Sequence, residues 1–286
     1  MIQTHHSTTN CQMELGHAFR HGECFICYES SPHPIHAGCG CRSDNGMVHV
    51  ECMATKACFQ DEQRGKSVWK TCQTCKQSFS GEMAMRLAIE WVSHALRASD
   101  VAIDDADPNL FRAQRHLARC HLAFGNAADA VDLNRARLRL FLGNNDRYTI
   151  VCAGDLAFSL ACTGQFAEAS ELFGRVKDAI PIVFGAEHRT TIQFRRNYAI
   201  FLLKRGMCAE SEQMFREILW VLVKQRKTNG SSARECMSNL AISLARQGQY
   251  DEARTLNVQL LLLETRALGS EHVRTKQTSQ RLKDLV

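Results

Sequence analysis

Long apolar runs are missing from this 286-residue chain. Stretches such as LWVLV and LLLL fall far short of the roughly 20 residues that a membrane-spanning helix needs. The opening MIQTHHSTTNCQMELG has no apolar block of the kind a secretory signal carries. Both absences lead to the expectation of a soluble cytoplasmic or nuclear protein with no membrane partner. Proline is scarce too: there are four, with none between positions 109 and 180, which leaves that region free for uninterrupted helices. There is no Gly-rich phosphate loop and no nucleophile motif, so no catalytic residue is assigned and a metabolic enzyme is not expected. Nor does charge of one sign dominate. The formal net charge is +5, from 35 Lys+Arg against 30 Asp+Glu. Residues 1–80 hold seven of each, so the excess lies further on, where it is interleaved with acidic residues; that argues against a nucleic-acid surface.

What the chain does have is cysteine, 14 in all, of which nine precede residue 76. In a reducing compartment, clustered cysteines bind metal more often than they form disulfides. In order they pair as Cys24-x2-Cys27, Cys39-x-Cys41, His49-x2-Cys52 and Cys72-x2-Cys75. Eight ligands suffice for two tetrahedral zinc ions, because an x2 gap lets a tight turn bring both sulfurs to about 2.3 Å from one ion. The one-residue gap at Cys39/Cys41 needs an unusual backbone, which Gly38 and Gly40 can supply. Large apolar residues are few here, so metal is expected to carry the fold of residues 22–80, at roughly 10–16 kcal/mol for structural zinc. Cys58 reads as a small packed residue, and His33 and His36 as exposed loop residues.

This order and spacing resembles the RING-CH zinc finger over residues 24–75, including the one-residue gap and the seven residues from Cys41 to His49. The resemblance implies a cross-brace. Cys24, Cys27, His49 and Cys52 would share one zinc, and Cys39, Cys41, Cys72 and Cys75 the other. It also implies docking of a ubiquitin-conjugating enzyme on Ile26, before the second ligand, and on Lys76, after the last. RING-CH proteins usually carry a Trp shortly after the sixth ligand; the matching CMATKAC has none, and Trp69 stands in for it. The PHD finger, a histone-tail reader with the same ligand order, fits less well. It usually has a wider gap between the third and fourth ligands, and an aromatic two positions before the seventh, whereas Trp69 lies three before Cys72.

From about residue 82 the pattern turns helical, and beyond a linker the chain repeats every 42 residues. Gly164, Gly206 and Gly248 form one column; Ala157, Ala199 and Ala241 another; Leu160, Leu202 and Leu244 a third. GQFAEAS, GMCAESE and GQYDEAR mark the same turn between two helices, with Cys208 in the column of Phe166 and Tyr250. HLARCHLAFGNAADA is an earlier copy with a shorter first half. These residues resemble the tetratricopeptide repeat in the 42-residue form of kinesin light chains, in about four copies. That resemblance implies a concave face built from the first helix of each pair. There Asp155, Asn197 and Asn239, in the column of His116, would hold an extended peptide or merely tie helices together.

The expected organisation is a disordered tail (1–21), a RING-CH finger (22–80), a connecting helix and linker (81–107), and the repeats (108–286). The fold class is a small two-zinc cross-brace finger joined to an all-α repeat solenoid. The function expected first is a ubiquitin-protein ligase whose repeats recruit a protein. The alternatives are a non-catalytic zinc-finger and repeat scaffold and, last, a histone-tail reader.

Overall fold

A computed structural model describes residues 22–39, 46–98, 107–141 and 146–285. The tail 1–21, Gly40, Cys41 and linker residues 99–106 lie outside them. The chain divides into two compact units, Met1–Leu87 and Ala88–Val286.

In the first unit, β1 (Ile35–His36) pairs antiparallel with β2 (Met47–Val48), Ile35 opposite Val48 and His36 opposite Met47. Helix α1 (Val50–Arg64) follows at once. His49 occupies the position before it in extended conformation, yet its side chain caps nothing. Helix α1 stops at Gly65 (φ 71°), and a 3-10 turn, Lys66–Trp69, brings Val68 and Trp69 inside. The expectation that metal alone would carry this unit needs correcting. Val48, Val50, Val68, Trp69 and Phe79 are all under a tenth exposed, so a small apolar core accompanies the cysteines. At roughly 25 cal/mol per Å² of buried apolar surface, one tryptophan contributes several kcal/mol. Helix α2 (Gly81–Ala98) leads out of the unit.

The second unit is an all-helical repeat solenoid. Helices α3 (Pro108–Ala123) and α4 (Ala127–Phe141) form the first pair, and α5 (Asp146–Cys162) and α6 (Phe166–Val176) the second. The short α7 (Ala179–Phe184) intervenes before α8 (Arg189–Lys204) and α9 (Cys208–Lys224). Then come α10 (Ser231–Arg246), α11 (Tyr250–Leu268) and a terminal α12 (Val273–Asp284). Asp107 starts the array, its carboxylate accepting from the backbone N–H of Asn109 (2.8 Å) and Leu110 (3.3 Å).

The repeated columns have physical reasons. Gly125, Gly164, Gly206 and Gly248 all take φ between 78° and 84°, the left-handed conformation that ends a helix. After each, the next backbone N–H reaches the carbonyl five residues back: Asn126 to His121, Gln165 to Leu160, Met207 to Leu202 and Gln249 to Leu244, all at 2.9–3.0 Å. Ala157, Ala199 and Ala241 are at most 1% exposed, which lets paired helices approach closely. Phe173 is fully buried among the rings of Phe194, Tyr198 and Phe201. Tyr250 is 55% exposed, so the column that holds Cys208 lies partly outside the core.

Candidate functional site

Two places in the structure gather chemistry, one in each unit. In the first, the Sγ atoms of Cys24, Cys27 and Cys52 and a ring nitrogen of His49 lie within 4.8 Å of one another. Cys39, Cys72 and Cys75 form a second such group. The sequence adds Cys41 to it, but that residue is outside the described ones.

The backbone around these groups is built for sulfur. Two matching turns hold the x2 pairs. In one, the Cys24 N–H donates to the Glu29 carbonyl (2.9 Å) and the Tyr28 N–H to the Cys24 carbonyl (2.8 Å). In the other, the Cys72 N–H donates to Gln77 and the Lys76 N–H to Cys72, both at 2.9 Å. Each turn closes with a non-glycine residue in left-handed conformation, Tyr28 (φ 64°) and Lys76 (φ 59°), a cost tolerated where the surroundings require it. Backbone N–H groups of Ile26 and His49 point at Cys24 Sγ, both at 3.4 Å. Burial pushes the Cys24 thiol up, but N–H donors from Cys27, His49 and Ile26 outweigh it and hold the thiol below its ordinary value. Cys52 goes the other way, pushed up to about 12 by burial and by the neighbouring Cys27 and Cys24 sulfurs.

The first group fits a zinc ion. His49 Nδ1 lies 3.2 Å from Cys27 Sγ and 3.8 Å from Cys52 Sγ. A tetrahedral ion with ordinary Zn–S and Zn–N bonds separates such atoms by about 3.5 Å. His49 is also turned away from capping α1, so its Nδ1 is left to face the sulfurs. For the second group, Gly38 carries the geometry. Its φ is 69°, and the Ser80 N–H and hydroxyl both donate to its carbonyl, at 3.0 and 2.9 Å. This ties the segment holding Cys39 to the segment just after Cys75.

The residues assigned to a conjugating enzyme are placed unequally. Ile26 is half-buried and Lys76 exposed, each within one of the two turns. Trp69 is 1% exposed, so its ring offers no surface to a partner and serves the small core instead. Cys58 is half-buried and lies outside both groups.

In the second unit, a cavity of about 380 Å³ opens along the first helices of the pairs and is lined by Asp155, Asn197 and Asn239. Asp155 is not free to hold a ligand. Its carboxylate accepts from Arg115 (2.8 and 3.1 Å) and Arg137 (3.3 Å), joining α3, α4 and α5. Burial pushes this carboxyl up, but the two guanidinium groups outweigh it and hold it below the usual carboxylate value. Asn197 Oδ1 accepts from Gln193 (2.9 Å), and Asn239 donates to the Glu235 carbonyl (2.8 Å). That leaves Asn197 Nδ2 and Asn239 Oδ1 without a hydrogen bond among the described residues. His116 packs against Trp91, with ring centroids 5.9 Å apart.

The residues that dominate this groove are arginines not singled out above. Arg196, 7% exposed, is paired with Glu235, which also accepts from Arg274 at 3.1 Å. Arg119 lines the same cavity, is open to solvent, and makes no hydrogen bond or ion pair among the described residues. Although the side chain reaches solvent, the surrounding groove walls and then repulsion from Arg115 and Arg196 lower its pKa, while Glu235 and Asp155 act the other way. The spacing of Arg115 and Arg119, one helical turn apart, was the available signal. The scattered thiols differ: burial pushes Cys120 and Cys152 up to about 11 and Cys236 to about 12, as for inert core residues.

A family profile for the tetratricopeptide repeat matches residues 234–274. Among solved structures, BtubC (BKLC) from P. vanneervenii aligns over 70% of this chain and 81% of its own, at 15% identity and a TM-score of 0.54. Nearly identical TPR-like repeats assigned to a kinesin light chain of Podosopora anserina align over 77% of this chain and 96% of theirs, at 18% identity and a TM-score of 0.45. Curated protein sequences give no match. The likeness to BtubC, with the repeat profile, establishes the repeat fold of the second unit. Among the described residues, no helix is long and apolar enough to cross a membrane.

Proposed function

We propose that this chain is a protein-interaction scaffold in which a two-zinc finger of RING-CH type is joined to a tetratricopeptide array that docks an acidic, extended protein segment. The observation that carries the docking half is Arg119, a guanidinium that makes no hydrogen bond or ion pair among the described residues, on the wall of a groove of about 380 Å³. Such a guanidinium is stabilised by an incoming carboxylate, which it can hold through two parallel hydrogen bonds. Asn197 and Asn239, each with one amide atom unused, would hold the backbone of the same segment.

In this reading the finger holds two structural zinc ions, one on Cys24, Cys27, His49 and Cys52 and one on Cys39, Cys41, Cys72 and Cys75. The metals fix a compact shape that cysteines and a small core could not hold alone. The finger corresponds to residues 22–80 and the array to 108–286, with residues 81–107 connecting them.

Binding of labelled acidic peptides, arrayed and then measured by fluorescence anisotropy, tests the docking half. Arg119→Glu should weaken the best peptides at least about tenfold. Equal binding by wild type and variant would remove Arg119 from the site and the argument with it.

Ubiquitin transfer is the second reading, favoured by Ile26 and Lys76 on the two metal-binding turns and disfavoured by the burial of Trp69. Zinc-loaded protein that forms no ubiquitin chains with a panel of conjugating enzymes would count against it.

A further inference from the structure

A second cavity, of about 200 Å³, lies at the end of the array between α10, α11 and α12, and shares Glu235, Asn239 and Arg274 with the larger groove. Its remaining charged walls are Arg234, Arg281 and Glu264. We propose that this cavity is a subsite for a phosphoryl group carried on a serine of the docked segment.

Charge is the first argument. Three guanidinium groups, of Arg234, Arg274 and Arg281, and two carboxylates line the cavity, and one of those carboxylates, Glu235, is also paired with Arg196 in the larger groove, so positive charge is in excess. A phosphomonoester, with about −1.5 to −2 at neutral pH and three acceptor oxygens, answers such a wall better than a single carboxylate.

Unmet hydrogen bonding is the second. Arg281 spends Nη1 on Ser238 (2.8 Å to the hydroxyl) and Nη2 on Thr278 (2.9 Å), which leaves its buried Nε without a partner. Arg234 Nη1 donates to the Asn229 carbonyl (2.6 Å), and its buried Nε is likewise unpartnered. Those two Nε atoms present no surface of their own, but Arg234 Nη2 makes no hydrogen bond among the described residues and is free to donate to an anion oxygen in the cavity. Burial also lowers the pKa of Arg281, as expected of a cation held out of water. Glu264 is not a competitor, since it is 3% exposed and accepts from Thr278 (2.8 Å).

Size is the third. The cavity has room for about six water molecules, enough for a phosphoryl group and its ester oxygen. Its shared wall with the larger groove would let a segment lie along the groove and reach in with one side chain.

The peptide context rests on the docking reading, but the anion subsite does not, and the experiment separates them. Phosphorus NMR of O-phospho-L-serine, titrated with the full chain, should show line broadening with a dissociation constant on the order of 1 mM. Arg234→Gln and Arg281→Gln should each weaken it about tenfold, while Arg119→Gln leaves it unchanged. Arg281 also holds α12 to α10, so Arg234→Gln, which removes only a loop contact, keeps the test sound if the other variant unfolds. Absence of broadening with wild-type protein, or broadening unchanged in Arg234→Gln, overturns the subsite. Inorganic phosphate bound in preference to O-phosphoserine overturns the serine-borne source. If acidic peptides bind the groove while O-phosphoserine fails, only this inference falls.

Discussion

The carboxylate of Asp155 accepts from both Nε and Nη2 of Arg115, at 2.8 and 3.1 Å, across two repeats of the solenoid. Arg137, 1% exposed, adds a third contact at 3.3 Å and stacks its guanidinium 4.9 Å from the Phe111 ring centroid. Removing the one anion would leave Arg137 buried and uncompensated, which costs more than the pair itself contributes. Asp155→Asn should therefore destabilise the array by about 3 kcal/mol, measured by urea unfolding followed by far-UV circular dichroism.

The same residue sets a pH dependence. Its folded-state pKa is depressed below the ordinary 3.8, so its contribution is present above that value and lost as pH falls through the lower folded pKa. Unfolding free energy should drop on acidification below about pH 4, more steeply in wild type than in Asp155→Asn. Parallel curves for the two proteins would show that the acid sensitivity comes from elsewhere.

Much of this was legible in the sequence. The 42-residue columns of Gly, Ala and Leu imply paired helices because only small or left-handed residues suit those places, and the solenoid carries them there. The pairs Cys24–Cys27 and His49–Cys52 are legible because x2 spacing is a local property of the chain, whereas their meeting in one group, 22 residues apart in sequence, is what the resemblance implies and spacing alone does not. The burial of Trp69 is not legible in the sequence, because exposure depends on what packs over a residue and not on its place in the loop after Cys52. The column of Asp155 leaves ligand-holding and helix-tying equally open in the sequence, and the structure gives the second for Asp155, because Arg115 and Arg137, from 40 and 18 positions before, occupy its carboxylate. Arg119 stands out because it makes no hydrogen bond or ion pair among the described residues, and pairing is a tertiary fact.

Gly38 is a point where a single methyl should disable the finger. A Cβ there would sit 2.3 Å from the Ser80 carbonyl oxygen, and φ is already 69°. Both backbones are tied by the Ser80 N–H to Gly38 carbonyl bond, so neither can move away cheaply. Gly38→Ala should lower the zinc affinity of the Cys39 group about tenfold or more, read by competition with a chromophoric chelator. Unchanged affinity for two zinc ions would mean that the close approach at Ser80 is not needed.

Metal removal has its own reporter. Trp69 and Trp91 are both at most 1% exposed, and Trp220 is 65% exposed, so only the buried pair can report unfolding by a red shift of fluorescence. Trp91 belongs to the helical unit, where its indole N–H donates to Asn109 Oδ1 (3.0 Å). Chelation should therefore red-shift wild type while the far-UV helical signal largely persists, and Trp69→Phe should abolish the shift. Loss of most helical signal on chelation would tie the solenoid's stability to zinc.

Asn257 is the buried polar residue with the least reason to be polar. It falls in the column of Phe173 and Phe215, is 1% exposed, and spends its amide N–H on the Ala253 carbonyl (2.9 Å) of its own helix. Its Oδ1 is buried without a partner. A buried acceptor of that kind costs about 1–3 kcal/mol, and leucine has the same branched heavy-atom skeleton as asparagine while demanding no hydrogen bond. Asn257→Leu should stabilise the array by about 1 kcal/mol, a rise of a few degrees in Tm by calorimetry. Destabilisation instead would show that the pocket around Asn257 is shaped for the amide rather than for an apolar side chain.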